Sequence, residues 1–420
     1  MLIKSLFLRF VGFLTLKVRG VNRFQIEIKN ANSINSPYPF EELFDYLKKW
    51  RYSTNIAKLP LMEKCDIKAF VEKLDKKQVY KFFYTGGSTG EPLQIAYSKR
   101  KVNWRLASAL FYNKFAGYTI GDPYLLTRSR DRNKIIKFFR NETILVPNNL
   151  SEIRIKQFWS EIKRRKIKFL IGYPSVLFNI AELINKMSLE KKESHLRGII
   201  TTAEPLDESQ LECIYSAFEC PVLNRYANEE CGIIAQQWIH GGELLVNRFG
   251  IFVEVVDPKT LLPVKPGQTG KVIVTDLFSD LYPMVRYNTG DLAEAGSYDS
   301  AGVLLTIKNI QGRTVDQFKK TNGEPFSPLT LGPYIRVPLT KAGYNVQFQF
   351  AQLSNKEFEL RLKTYNNFLD SIIKNQIING LKEVIGLDAR IKITLVKEIV
   401  PLKSGKKPLY INEYFRLSNS

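Results

Sequence analysis

The sequence has few of the residues that staple or metallate a fold. Four cysteines (Cys65, Cys213, Cys220 and Cys231) are scattered through 420 residues without close pairs, which excludes a disulfide framework. Histidines number two, His195 and His240. Cys231 and His240 could be set together as ligands, but the companion cysteine pair of a zinc set is missing. The thiols read as structural, in a reducing compartment. No apolar run is long enough to span a bilayer, because Lys4, Arg9 and Lys17 interrupt residues 1–20. The same stretch lacks the small-residue cleavage site of a signal peptide. Internal repeats, low-complexity tracts, zinc knuckles, RNP-like motifs and a long basic arm are also missing from the sequence, which leaves nucleic acid the least supported partner.

Positive charge is in surplus. Lys and Arg total 62 against 41 Asp and Glu, a net charge of +21. Such a surplus is either a solvated lysine-rich surface or an attraction to an anionic membrane or polyanionic polymer. The first 20 residues sharpen the question. At about 100° per residue, Lys4, Ser5, Arg9, Gly12, Thr15 and Arg19 fall on one face, opposite Phe7, Phe10, Phe13 and Leu14. A basic amphipathic helix of this kind either lies in a membrane interface or packs on the body of the protein.

Periodicity predicts a large α/β domain. Residues 37–75 read as helices joined by a turn at Pro60, and Val79–Phe83 as a strand. Helices are expected at Lys101–Phe115, Ser151–Arg165, Pro174–Lys186 and Asp207–Phe218. They alternate with strands at Pro123–Thr127, Ile167–Tyr173, Gly198–Thr202 and Pro221–Tyr226, the pattern of βαβ units and a largely parallel sheet. After about Gly241 the rhythm changes to short strands between Pro/Gly turns, which predicts an antiparallel or barrel-like region. The last hundred or so residues alternate again and predict a small α+β domain, with the boundary near Gln311-Gly312-Arg313.

Several stretches carry polar chemistry. Thr85-Gly86-Gly87-Ser88-Thr89-Gly90 follows a strand and packs glycines with hydroxyls, so that backbone N–H groups can turn toward a phosphate. It is not a Walker A loop, because Glu91 and Pro92 stand where Lys and Ser/Thr are needed. Arg225 to Gly232 places Glu229 and Glu230 just after a strand, at the carboxyl edge where parallel sheets bind ligands. Arg286 to Asp291 ends in an acid on an expected tight turn, suited to a ribose diol. Gly312-Arg313-Thr314-Val315-Asp316 sits at the proposed boundary, and Ser404-Gly405-Lys406-Lys407 presents a lysine from a glycine turn.

In order and spacing these stretches resemble the adenylate-forming (ANL) superfamily, best its phenylacetate–CoA ligase-like branch, which includes capsule-biosynthesis CapK-like proteins. The resemblance covers roughly residues 80 to 410. Thr85 to Pro92 matches the phosphate loop, with Glu91 in place of the usual lysine. Gly172-Tyr173-Pro174-Ser175 matches the segment lining the carboxylate pocket, and Thr202-Ala203-Glu204-Pro205 the one passing the adenine. Tyr226 matches the aromatic of the Tyr-Gly-x-Thr-Glu motif, which puts the magnesium-binding acid at Glu230. Ala227 and Glu229 depart from that motif and leave the choice between the two glutamates open. Asp291 matches the ribose-binding aspartate, Arg313 the arginine after the hinge glycine, and Lys406 the mobile catalytic lysine. Val315 stands where the hinge residue is usual, with Asp316 beside it.

The expected division is an amphipathic segment over 1–36, read from its residues, followed by what the resemblance implies: an ATP- and carboxylate-binding domain over 37–311 and a mobile lid domain over 312–420. It implies ATP- and Mg²⁺-dependent activation of a small carboxylic acid through an acyl-adenylate, with CoA as acceptor. Transfer to an amine or hydroxyl of a sugar in capsule or O-antigen assembly is the alternative, and a catalytically idle scaffold the third reading. The expected location is the cytoplasm, with peripheral contact to the inner face of the cell membrane as one reading of residues 1–20.

Overall fold

Apolar strand segments between residues 124 and 228 pair in parallel in the computed structural model, which describes residues 8, 21–31, 38–85, 93–127, 131–146, 152–187, 195–313, 318–326, 328–344, 346–364, 368–400 and 409–414. Ahead of them, β1 (Lys81–Tyr84) and β2 (Gln94–Tyr97) form an antiparallel hairpin. Its mouth is tied twice: Thr85 N–H donates to the Leu93 carbonyl, and Leu93 N–H to Thr85 Oγ1, each at 3.0 Å. The parallel strands are β3 (Tyr124–Thr127), β4 (Glu142–Leu145), β5 (Phe169–Gly172), β6 (Gly198–Thr202) and β7 (Val222–Asn228). Phe169, Leu170, Ile199, Ile200, Val222 and Leu223 are buried, as expected of strands covered on both faces.

The strands expected as an antiparallel or barrel-like region pair antiparallel and continue the same sheet. They are β8 (Gly232–Gln237), β9 (Leu244–Val246), β10 (Ile251–Val256), β11 (Thr269–Asp276), β12 (Tyr287–Ala295) and β13 (Thr306–Arg313). Among the described residues the eleven strands run in the order β10-β11-β12-β13-β9-β8-β7-β6-β5-β3-β4. Strand β8 escapes sequence reading because its buried Gln236 and Gln237 look like surface residues. Gln236 Oε1 instead accepts from Arg225 Nε at 2.6 Å, and its Nε2 donates to the Tyr112 carbonyl at 2.9 Å.

Helix Lys99–Asn113 crosses the core beside this sheet. It starts two residues before the expected Lys101 because Ser98 Oγ caps it, accepting from Lys101 N–H at 3.1 Å. Trp104 on this helix is fully buried and stacks on Phe278 at 4.9 Å. Of the expected N-terminal segment, Leu8 and helix Val21–Ala31 are described. Leu8, Val21 and Ile28 are buried, and Phe24 meets Phe278 edge-on at 5.5 Å. No helix among the described residues is long and apolar enough to cross a membrane.

The chain divides into two compact units. The first holds residues 1–173, 190–203 and 218–310, and the second residues 174–189, 204–217 and 311–420. The second unit contains β14 (Phe318–Lys319), β15 (Pro325–Phe326), β16 (Val346–Gln352), β17 (Glu357–Thr364), β18 (Arg390–Leu395) and β19 (Tyr410–Asn412). Four of these pair in the order β18-β17-β16-β19, a mixed sheet. Phe318, Phe350, Phe358, Ile377 and Leu381 form its core. Helix Ser371–Ile385 is capped by Asp370 Oδ1, which accepts from Ile372 N–H at 2.7 Å.

Candidate active site

Parallel register brings the carboxyl ends of the strands together in the first unit. Gly172 on β5 lies beside Thr201 on β6, and Thr202 beside Arg225 on β7. That edge is where open α/β sheets take ligands. Just past it, Tyr173 N–H donates to Thr127 Oγ1 at 3.0 Å. Ala203, the residue after β6, has φ +70°, a left-handed conformation that is costly for a residue with a Cβ and concentrates at functional turns.

Tyr226 and Asp291 meet here. The Tyr226 ring is buried, and its hydroxyl donates to Asp291 Oδ2 at 2.7 Å and lies 3.3 Å from Thr289 Oγ1. Burial first, and then the Asp291 carboxylate, hold the Tyr226 phenol well above its ordinary pKa, so it stays a donor. Asp291 does not end a tight turn, as its sequence suggests. It lies within β12, where the register against β11 slips between Lys271 and Ile273 and Gly290 takes φ +77°. This irregularity re-aims side chains in mid-strand. Thr289 Oγ1 secures it, accepting from Asp291 N–H at 3.1 Å and donating to the Val272 carbonyl at 2.9 Å.

The two glutamates occupy the turn between β7 and β8 and differ sharply. Glu230 is buried, and Tyr287 OH donates to its Oε1 at 3.1 Å. Its carbonyl accepts from Lys101 Nζ at 3.0 Å, and that fully buried ammonium also pairs with Asp276 at 2.7 Å. Burial raises the Asp276 carboxyl against the pull of Lys101. Glu229 has a side chain 45% exposed and pairs with Arg105 Nη2 at 3.2 Å. Its carbonyl accepts from Tyr97 OH and from Arg105 Nη1. Lys101, Arg105 and Tyr287 are the supporting residues that sequence reasoning missed. Their signal was faint: Lys101 stands three residues before Trp104 on the inward face of its helix.

Among the described residues no three His, Cys, Asp or Glu side chains gather as a metal-binding group. Cys231 Sγ lies 3.6 Å from Met284 Sδ, and His240 Nδ1 lies 3.1 Å from the Val222 carbonyl. Mg²⁺ asks less, since it usually takes one or two carboxylates with water and phosphate oxygens. Glu230 fits that demand, for its Oε2 has no hydrogen-bond partner among the described residues.

In the second unit, Pro174 opens helix Pro174–Lys186, and Ser175 N–H donates to Glu204 Oε2 at 3.1 Å, a carboxylate on a helix N-terminus. Thr85 is described and the rest of the phosphate-loop residues (Gly86, Gly87, Ser88, Thr89 and Gly90) lie outside the described residues, as do Val315, Asp316 and Lys406. Arg313 is the last residue of β13.

Comparison with known proteins decides what this edge belongs to. The sequence pattern of the AMP-binding enzyme family matches residues 31–276. The chain belongs to the AMP-binding enzyme family. Within it, this AMP-binding enzyme is an adenylate-forming ligase of the CapK-like and phenylacetate–CoA ligase-like branch. It is 24% identical over 448 residues to Protein CapK of Staphylococcus aureus, covering 97% of this chain and 96% of that protein. It is 20% identical over 360 residues to phenylacetate-coenzyme A ligase of Pseudomonas putida, covering 81% and 80%. In fold it resembles 2-hydroxyisobutyryl-CoA ligase in its postadenylation state, with a TM-score of 0.64, 17% identity and 95% and 90% coverage. ATP-bound MatB from Rhodopseudomonas palustris is a further structural relative, with a TM-score of 0.53, 18% identity and 78% and 66% coverage. Asp291 lies beyond the matched residues, and its bond to Tyr226 attaches it to them.

Proposed function

We propose that this ligase uses ATP and Mg²⁺ to activate a small carboxylic acid as its acyl-adenylate and then passes the acyl group to the thiol of CoA. The observation that carries this reading is the Tyr226–Asp291 hydrogen bond at the carboxyl edge of the sheet. An aspartate held by a buried phenol beside a strand end is suited to accept from both hydroxyls of a ribose. A carboxylate oxygen of the acid attacks the α-phosphorus, forming a P–O bond as the bond to pyrophosphate breaks. The thiol then loses its proton, its sulfur attacks the acyl carbon, and AMP departs with the bridging oxygen.

The residues divide the work as follows. Thr85 to Gly90 cradle the phosphates through backbone N–H and hydroxyl groups. Tyr173 and Pro174 border the acid, Ala203 and Glu204 border the adenine, and Tyr226 holds Asp291 on the ribose. Lys406 bridges the acid and the α-phosphate, reducing repulsion between two anions that must meet. Glu230 holds Mg²⁺, which when bound neutralises phosphate charge. Movement about Arg313, Val315 and Asp316 would exchange Lys406 for the acceptor between the two half-reactions.

The alternative acceptor is an amine or hydroxyl of a sugar in surface-polysaccharide assembly. It is favoured by the near full-length match to Protein CapK, against about four-fifths coverage for the CoA ligase, and by the net charge of +21. Carboxylate-dependent ATP–pyrophosphate exchange across a panel of acids tests the first step. Mass analysis of the product with and without CoA then separates the acceptors. Absence of exchange with every acid, at Mg²⁺ and ATP saturation, points to the idle scaffold.

A further inference from the structure

Helix Lys134–Arg140, in the first unit, turns its apolar side outward. Its sequence is KIIKFFR. Ile135, Ile136, Phe138 and Phe139 are exposed by 66%, 44%, 49% and 55%. At about 100° per residue they occupy one arc in the order Phe138, Ile135, Phe139, Ile136. Lys134 stands just beyond Phe138, Arg140 just beyond Ile136, and Lys137 on the opposite side.

The side opposite the arc is tied to the segment that precedes the helix, and both ends of the helix are held. Lys137 Nζ meets both oxygens of Asp131 at 2.8 and 2.9 Å. Just before the helix, Arg132 Nη1 contacts both oxygens of the buried Glu142 at 2.8 and 3.1 Å. Asn133 Oδ1 caps the helix, accepting from Ile135 N–H at 2.8 Å, and Asn141 closes it at φ +50°, its Nδ2 donating to the Gly121 carbonyl at 2.9 Å. The helix is therefore held in place with its apolar arc outward. Single exposed apolar residues are commonplace, whereas four in one arc form a patch that marks an interaction surface.

We propose that this arc, rimmed by Lys134 and Arg140, docks the protein on an anionic lipid bilayer. Both rim cations are exposed and form no ion pair among the described residues. An apolar stripe flanked by cations whose stems can lie along it is the pattern of an interfacial helix. Charge argues for lipid over a second copy of the chain. A two-fold interface would set Lys134 and Arg140 against the same cations, in a protein already at +21, whereas an anionic surface complements both. The docking helix is distinct from residues 1–20 and independent of the proposed reaction.

The test uses the full chain with vesicles of phosphatidylcholine, alone or with about a third phosphatidylglycerol. Wild type is expected to float with the anionic vesicles and to be released by high salt. Ile135→Asp/Phe139→Asp, at exposed positions, should weaken binding by at least about tenfold while keeping the wild-type melting temperature. Phe139→Trp should show a gain in fluorescence quenching, relative to wild type, by a shallow lipid-borne quencher. Residues 1–20 remain intact in both variants, so these changes report the helix. The proposal is overturned if wild type does not bind, if Ile135→Asp/Phe139→Asp binds as wild type does, or if bound Phe139→Trp is quenched no more than bound wild type. It is equally overturned if Ile135→Asp/Phe139→Asp converts a dimer to a monomer without changing lipid binding, which makes the arc a self-interface.

Discussion

The Tyr226 hydroxyl lies 2.7 Å from Asp291 Oδ2 across 65 residues of chain, joining the end of one strand to an irregularity in the middle of another. Losing the hydroxyl should loosen the carboxylate without disturbing the core, because Tyr226→Phe keeps the ring. Tyr226→Phe is expected to raise KM for ATP by roughly tenfold, about 1.5 kcal/mol, with kcat little changed. Steady-state kinetics against ATP checks this, and an equal fall in kcat would assign the hydroxyl to the chemical step.

Glu230→Gln is expected to lower Mg²⁺-dependent pyrophosphate release by about 10²–10³, the scale of one transition-state contact. Glu229→Gln should retain most activity, because its half-exposed carboxylate is engaged by Arg105. Parallel assays over a Mg²⁺ titration decide between them. Full activity in Glu230→Gln with loss in Glu229→Gln reverses the assignment.

The Lys101–Asp276 pair is fully buried. Removing only the ammonium leaves a carboxylate in the core, so Lys101→Met is expected to cost about 3–5 kcal/mol. Lys101→Met/Asp276→Asn should recover much of that loss, because the amide oxygen can still accept from Phe278 N–H, now at 2.9 Å from Asp276 Oδ1. Urea unfolding of the two variants measures the difference. Equal midpoints would mean that the lost packing, not the orphaned charge, sets the cost.

Glu182, on helix Pro174–Lys186, has its carboxyl pushed up from 4.5 to about 7, by burial first and against the pull of Arg336. A raised folded-state pKa means the folded protein holds a proton that the unfolded chain gives up. The resulting stability is present below about pH 4.5 and is lost as pH rises through about 7. Glu182→Gln should therefore be more stable than wild type above neutral pH, by up to about 3 kcal/mol, and melt at a higher temperature, with the gap narrowing toward acid. Melting curves across that range check the sign, and a gap that widens toward acid refutes it.

Much of the architecture was legible because local forces set it. Helix Pro174–Lys186 begins at its proline and ends where its apolar period stops, and β6 matches its apolar run residue for residue. Misreadings fell where long-range partners overrode local pattern. Asp291 reads as a turn because Asn288, Thr289 and Gly290 are turn residues, yet pairing with β11 on either side, at Asn288 and Leu292, carries the chain through as one strand. Strand β8 reads as polar because Gln236 and Gln237 find buried partners only after folding.

By itself the sequence determined the order of the motifs, the parallel βαβ run and the shortage of thiols and imidazoles, since these depend on residue type and spacing along the chain. Tertiary structure decided which groups touch. It put Tyr226 on Asp291, buried Glu230 under Tyr287 while leaving Glu229 half exposed, and turned the apolar side of Lys134–Arg140 outward. Hydrogen bonds and burial depend on distance in space, and a chain of 420 residues does not carry that distance in its spacing.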